Sequence, residues 1–345
     1  MTPEAEAPGR ITLGDNNLWA LRLHASEGGG VLLIDAGIDH DLSAEDDDVP
    51  ASTWDAVVAQ ADALGFAPPD VRAVLVTHEH IDHAALAARW AAEGARIVCG
   101  RAAMPALALG RDANEAQREA RSAELRRHGV PATVLDGIRA MRGVRSLRWA
   151  PCPPEALVAA EERSTFRLAD GRTLRAIPAP GHTPGNLVAL IEESRELLSG
   201  DTVLATTIPT PGLHFPGAIE RDPHAPRWPS LPPFLRSVAA IRALGVARVY
   251  PGHGDAIDDP APTLDRFETH HARRGAKVRT ALRAAGAATA FEVARTLFPR
   301  LPDARLGQAM TEVLGHLDLA EEQGVARRVS PSDEGGVVRW EMVAG

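Results

Sequence analysis

Val74-Leu75-Val76-Thr77-His78-Glu79-His80-Ile81-Asp82-His83 sets the terms for the rest of this chain. Residues 74–76 are apolar and mostly β-branched, which predicts a short buried strand. Behind them, three histidines and one aspartate fall within six residues. The following Ala84-Ala85-Leu86-Ala87-Ala88-Arg89-Trp90 reads as a helix, so the cluster is expected on a strand-to-helix loop. Neutral imidazole and carboxylate are the usual ligands of zinc and related first-row metals. Alternate side chains of extended backbone share a face, so His78, His80 and Asp82 can point the same way. The turn into the helix would then swing His83 towards Asp82. One ion rarely takes four ligands from six residues and still leaves room for a substrate, so two adjacent ions explain the density better. The bland alternative is a histidine-rich surface loop. Three later fragments weigh against it: Pro180-Gly181-His182, Ser199-Gly200-Asp201 and Pro251-Gly252-His253-Gly254. Each ends or follows an apolar run and adds one ligand in a glycine-containing turn.

Taken in order, Thr77 to His83 with His182, Asp201 and His253 resemble the metallo-β-lactamase superfamily, over about residues 10–260. Carried over residue by residue, the resemblance implies that His78, His80 and His182 hold one metal. Asp82, His83 and His253 would hold a second, and Asp201 would bridge both. All seven positions are filled, which implies two divalent metal ions. Zinc is the default, and iron or manganese suits the same ligands. The implied fold is α/β, a four-layer αββα sandwich with the metals at one edge. The implied nucleophile is a bridging hydroxide, because binding lowers the pKa of water from about 15.7 to about 7. One metal would then stabilise the oxyanion, while Asp82 or a metal-bound water would relay a proton to the leaving group. Asp82 is thus the candidate catalytic residue.

The 345 residues predict one large domain and one small one. Hydrophobic residues make up 45% and aromatics only 4%, so Leu, Val, Ile and Ala must fill the core. The net charge of −9 gives no general attraction to nucleic acid or anionic membrane. Cys99 and Cys152 lie in no CxxC motif and match no ligand position, so they read as structural or incidental thiols. No apolar stretch approaches transmembrane length. The acidic first eight residues lack the apolar core of a secretory signal, so a cytoplasmic location is expected.

Residues 11–23 and 31–35 read as the first strands. Asp35 ends the second of them. It is expected either to position a ligand histidine or to serve as an ordinary strand-end turn residue. Residues 41–50 read as an acidic loop, 54–64 as a helix ending at Gly65, and 96–100 as a buried strand. Residues 101–162 are expected as a helical insert, with helices at 113–128 and 132–145, forming either a pocket wall or a solvated packing pair. Asp170-Gly171 signals a hairpin between 165–168 and 173–177. Further strands are expected at 187–191, 196–198 and 247–250. The Pro-rich segment 202–233 contains His214, Phe215, Arg221, His224, Arg227 and Trp228. It follows Asp201, so it is expected to overhang the metals. His214 and Phe215 are substrate-binding candidates, with plain loop packing as the alternative.

The domain boundary is expected at 262/263. Residues 263–285, 289–298 and 304–323 read as helices, and 325–329 and 337–343 as strands about a turn at 331–336. This pattern resembles a winged-helix domain, as in the subgroup that includes lactamase-like protein 2 and certain polyketide-release thioesterases. The helix at 304–323 sets Arg305 against Glu312, Asp318, Glu321 and Glu322, the wrong sign for phosphate contact. Its apolar stripe of Leu306, Met310, Val313, Leu314 and Leu317 suits packing. The module is therefore expected as a buttress, a pocket wall or a homodimer contact. The expected activity is hydrolysis of a small acyl substrate, with thioesters favoured over lactones. No glutathione-binding signature accompanies the motif, and β-lactam hydrolysis fits less well. Endoribonuclease action on single-stranded RNA and a non-enzymatic regulatory role are the competing readings.

Overall fold

A computed structural model describes residues 6–42, 51–140, 147–209, 211–220, 222, 226–329 and 336–343. The chain divides into two compact units. The first comprises Met1–Asn114, Ser146–Pro209 and Ser237–Thr263; the second comprises Glu115–Arg145, Thr210–Arg236 and Leu264–Gly345. The acidic residues 43–50, the end of the expected helix at 141–145, Arg221, His224 and the turn residues 331–335 lie outside the described residues. No helix among the described residues is long and apolar enough to cross a membrane.

The first unit is built on two sheets. Strands β1 (Gly9–Leu13), β2 (Asn16–Arg22), β3 (Val31–Ile34), β4 (Val71–Val76), β5 (Arg96–Cys99) and β6 (Leu157–Ala159) form one sheet in chain order. Its first three strands are antiparallel, and β3 to β6 run parallel. Strands β7 (Thr165–Arg167), β8 (Thr173–Pro178), β9 (Leu187–Ile191), β10 (Glu196–Gly200) and β11 (Arg248–Pro251) form the other, in the order β11-β10-β9-β8-β7. All four residues of β3 are buried, as a strand covered on both faces requires. Its Leu32 and Ile34 share an apolar core with Leu75 and Val98 of the same sheet and with Phe166, Leu174, Ala189 and Leu198 of the other. Alternation turns Val31 and Leu33 to the opposite face. Helix Thr53–Ala63 lies against β1, and helix Ala87–Ala92 against β4 and β5. The result is the expected αββα sandwich, two sheets face to face with helices outside.

Two local details differ from expectation. The helix after β4 begins at Ile81 with His80 as its N-cap, so Asp82 and His83 stand in a helical turn and only His78 and His80 are on extended backbone. Residues 157–159, expected within a helical insert, instead extend the first sheet as β6. Three residues are too few to register as a pattern.

The second unit contains helices Ala290–Leu297 and Leu306–Glu322 and a three-stranded antiparallel sheet. Its strands β12 (Ala287–Ala288), β13 (Ala326–Val329) and β14 (Arg339–Met342) lie in the order β12-β14-β13. Thr289 and Glu292 cap helix Ala290–Leu297 reciprocally: the Thr289 hydroxyl accepts the Glu292 N–H at 3.1 Å, and the Glu292 carboxylate accepts the Thr289 N–H at 2.8 Å. The predicted stripe Leu306, Met310, Val313, Leu314 and Leu317 is buried in one core with Leu125, Val134 and Leu135. The unit therefore recruits residues 115–145 and 210–236, where the sequence reading placed the division at 262/263.

The carboxylates of helix Leu306–Glu322 are paired. Each carboxylate on helix Leu306–Glu322 meets a cation from elsewhere in the unit: Glu312 with Arg274 at 2.6 Å, Asp318 with Arg227 at 2.6 Å, Glu321 with Arg328 at 2.5 Å, and Glu322 with Arg236 at 2.7 Å. Ten residues of the helix are buried, Asp318 among them.

Candidate metal centre

The chemistry gathers where strands of both sheets end. Asp35 follows β3, Thr77 and His78 follow β4, Asp201 follows β10, and His253 stands two residues beyond β11. His182 sits in the turn between β8 and β9. The sheets are tied together at this edge, since the Leu187 N–H donates to the Thr77 carbonyl at 2.7 Å. The Asn17 N–H of β2 likewise donates to the Gly252 carbonyl beyond β11 at 2.7 Å. Close approach explains one glycine in particular. A Cβ on Gly252 would stand 2.7 Å from both Asp201 Oδ1 and His83 Cε1.

All seven predicted ligands converge. His80 Nδ1 lies 3.1 Å from His78 Nε2 and 3.0 Å from His182 Nε2. His83 Nε2 lies 3.2 Å from His253 Nε2 and 3.4 Å from Asp201 Oδ1. Asp82 Oδ2 is 3.4 Å from His253 Nε2, and Asp201 Oδ2 is 3.7 Å from His182 Nε2. Ligand atoms of His78, His80 and His182 fall within 4.8 Å of one another, as do those of Asp82, His83 and His253. The same holds for His78, His83 and Asp201, which places Asp201 between the two trios.

Hydrogen bonding prepares the imidazoles as ligands. The Asp35 carboxylate accepts the Thr77 N–H at 2.7 Å, the Thr77 hydroxyl at 3.1 Å and His83 Nδ1 at 2.8 Å. With its hydrogen given to Asp35, the Thr77 oxygen can accept from His78 Nδ1, 3.0 Å away. Both His78 and His83 therefore carry hydrogen on Nδ1, which leaves Nε2 as the atom each can offer to an ion. The bond to His83 favours the positioning reading of Asp35 over the turn reading. Its φ of 68° is tolerated by Asp and Asn more readily than by most residues.

Electrostatics favour cations here. Burial, reinforced by His83, His80 and His182, pushes His78 well below the usual imidazole range. Burial also lowers His182, with Asp201 opposing. Neutral histidines are what metal binding demands. Burial opposes protonation of His83 too, but Asp201, Asp35 and Asp82 overrule it and raise its pKa well above the ordinary value. Asp82 and Asp201 are held well below the usual carboxylate range: burial resists, and neighbouring imidazoles led by His83 prevail. A nest of lone pairs and carboxylates a few ångströms apart fits divalent ions of the zinc class. The His78 and His83 side chains are fully buried, whereas Asp82 is 35% and His253 21% exposed, so the cluster opens on one side.

Some contributors were not foreseen. Glu79, between two ligands, accepts the Thr183 hydroxyl at 2.6 Å and so joins the two histidine loops. Asn17 Nδ2 donates to the carbonyls of Pro251 at 3.0 Å and Gly254 at 2.7 Å, fixing the turn that carries His253. Polar residues beside a motif or in a hairpin are common, and nothing in one sequence distinguishes these. His214 and Phe215 lie in the second unit, both buried. Phe215 belongs to that unit's apolar core and its N–H donates to Gln117 Oε1 at 2.9 Å, which supports the packing alternative. Cys99 and Cys152 are free and buried, with burial raising their thiols to about 12 and about 11.

Comparison with known proteins agrees with this geometry. The Probable metallo-hydrolase YqjP of Bacillus subtilis is 26% identical over 299 residues, 86% of each chain. An atrochrysone carboxyl ACP thioesterase of Aspergillus fumigatus is 27% identical over 186 residues, covering 50% of this chain and 52% of the relative. The crystal structure of a metallo-beta-lactamase family protein from Thermus thermophilus superposes with a TM-score of 0.71 at 25% identity, covering 98% of both chains. The model of the Metallo-beta-lactamase superfamily matches residues 11–253, which contain every side chain of the cluster. This chain belongs to the metallo-β-lactamase superfamily of metal-dependent hydrolases.

Proposed function

We propose that the protein hydrolyses a small ester-like bond, with an acyl thioester as the favoured substrate, using two divalent ions, zinc by default. His78, His80 and His182 hold one ion, Asp82, His83 and His253 the other, and Asp201 spans both. The observation that carries this reading is the convergence of seven donor side chains, with Asp82 and His253 partly exposed. When bound, such a pair supplies Lewis acidity and a water acidified to near neutral pH.

The protein's own groups do the rest. Asp35 holds the His83 and His78 rings in one tautomer. Asp82, on the open side, is placed to pass a proton to the departing group. Glu79 and Thr183 keep the two histidine loops in register. The thioester preference rests on the named activity of the Aspergillus relative.

The order helix, strand, helix, helix, strand, strand in residues 261–342 supports a winged-helix reading of the second unit. Its heavily buried third helix favours a supporting or dimer-forming role over groove binding. The test is to assay metal-loaded protein against panels of acyl thioesters, lactones and single-stranded RNA. Thioester turnover lost on chelation is expected. Cleavage of RNA alone would replace this reading with the ribonuclease one.

A further inference from the structure

We infer that Asn16 is a positioning residue for His253, accepting the imidazole Nδ1–H through its side-chain amide, directly or across one shared water. This rests on the dinuclear reading above. Asn16 opens β2, and it pairs with His253 in an isolated antiparallel bridge. The flanking bonds run from the Asn17 N–H to the Gly252 carbonyl at 2.7 Å and from the Gly254 N–H to the Asp15 carbonyl at 3.3 Å. Asn16 and His253 are therefore a non-hydrogen-bonded pair. In that arrangement the two side chains share a face and approach most closely, with Cβ atoms about 4.5–5.5 Å apart.

The chemistry of the pair is unfinished in a complementary way. Asn16 is 3% exposed, yet neither its Oδ1 nor its Nδ2 finds a hydrogen-bond partner among the described residues. His253 turns Nε2 towards His83, Asp82 and Asp201. To keep that lone pair available its hydrogen must sit on Nδ1, and Nδ1 is also buried without a partner. Asp15 offers a carboxylate 3.7 Å from Nδ1, but its side chain is 90% exposed, so water competes for it. A buried amide and a buried ring N–H on one face, each lacking a partner, supply each other's need at little cost in order. Asn17 meanwhile anchors the backbone of the same turn, so the hairpin that bears Asn16 is fixed relative to His253. His83 has Asp35 as its orienting group; Asn16 gives His253 the equivalent.

The test titrates metal-free wild type, Asn16→Leu and Asn16→Asp with zinc against a chromophoric chelator, and records thermal melting of each metal-free protein. Wild type is expected to take two ions. Asn16→Leu, nearly isosteric but unable to accept, should bind the first as wild type does and the second 10–100-fold more weakly. Asn16→Asp restores an acceptor and should recover affinity to within about threefold of wild type. The metal-free melting temperature of Asn16→Leu should change little, because the acceptor lost to His253 Nδ1–H is offset by burying an apolar side chain in place of an amide whose Nδ2 has no partner. The inference is overturned if Asn16→Leu binds both ions within twofold of wild type, or if it loses both equally with a lowered melting temperature. If wild type binds no zinc, the dinuclear reading fails and takes this inference with it.

Discussion

Replacing Asp35 by Asn isolates the hydrogen bonding that prepares the metal ligands. The φ of 68° makes Asn the right choice, since it tolerates that backbone as Asp does, whereas Ala would add strain to the loss. Asp35 accepts three hydrogen bonds: two from Thr77, at 2.7 and 3.1 Å, and one from His83 Nδ1 at 2.8 Å. An Asn carries one acceptor oxygen and one donor group. If the oxygen stays on the Thr77 N–H, the amide hydrogens face the Thr77 hydroxyl and His83 Nδ1–H, donor against donor. His83 must then move its hydrogen to Nε2, the atom that faces Asp201 and His253, or leave a buried donor unpaired. Either outcome costs about 1–3 kcal/mol. At about 1.4 kcal/mol per decade, the ion held by His83 should bind about 5–150-fold more weakly. The assay is zinc competition against a chromophoric chelator, with metal-free melting as a control for folding. Retention of both zinc affinities within twofold would refute the claim that Asp35 sets the tautomers.

Gly252→Ala should abolish tight binding of the His83 ion, because its Cβ would meet Asp201 Oδ1 and His83 Cε1; metal content after gel filtration reads this out, and two ions per chain would contradict it. Acid should destabilise the second unit through His271 and His316, which burial and the neighbouring cation Arg274 push down to about 4 and about 3. Both stay neutral when folded but titrate near 6.5 when unfolded. Their contribution is thus complete above pH 6.5 and is lost as pH falls towards 4 and 3, by at most about 1.4 kcal/mol per pH unit for each. Urea unfolding at pH 7 and pH 5 should show that slope, and a double His271→Leu, His316→Leu variant with an unchanged slope would remove the explanation. Arg227→Met strands the buried Asp318 and Glu124 that Arg227 holds at 2.6 and 3.1 Å, and should cost about 3–5 kcal/mol in urea unfolding; a loss below 1 kcal/mol would mean the network is not sealed.

The clustered imidazoles and carboxylates were legible because chemistry and spacing are local. His78, His80, Asp82 and His83 fall in one short segment, and each later ligand follows an apolar strand. Asp35 was half legible: a carboxylate at a strand end has two ordinary readings, and only its three donors decide between them. Asn16 and Asn17 were illegible, since their value depends on a turn more than 230 residues away. The share of Glu115–Arg145 and Thr210–Arg236 in the second unit was hidden for a similar reason. The stripe of helix Leu306–Glu322 announced that it would be buried, but not that Leu125 and Leu135 would bury it. The partners of that helix's carboxylates were illegible because ion pairing is a tertiary property, and Arg227, Arg236, Arg274 and Arg328 all lie outside the helix.

The most direct measurement is an anomalous difference map from zinc-soaked crystals, collected above and below the zinc edge. Two peaks about 3.5–4 Å apart are expected, one among His78, His80 and His182 and the other among Asp82, His83 and His253, with Asp201 between them. A map with no peak inside this ring of side chains would contradict the account at its root.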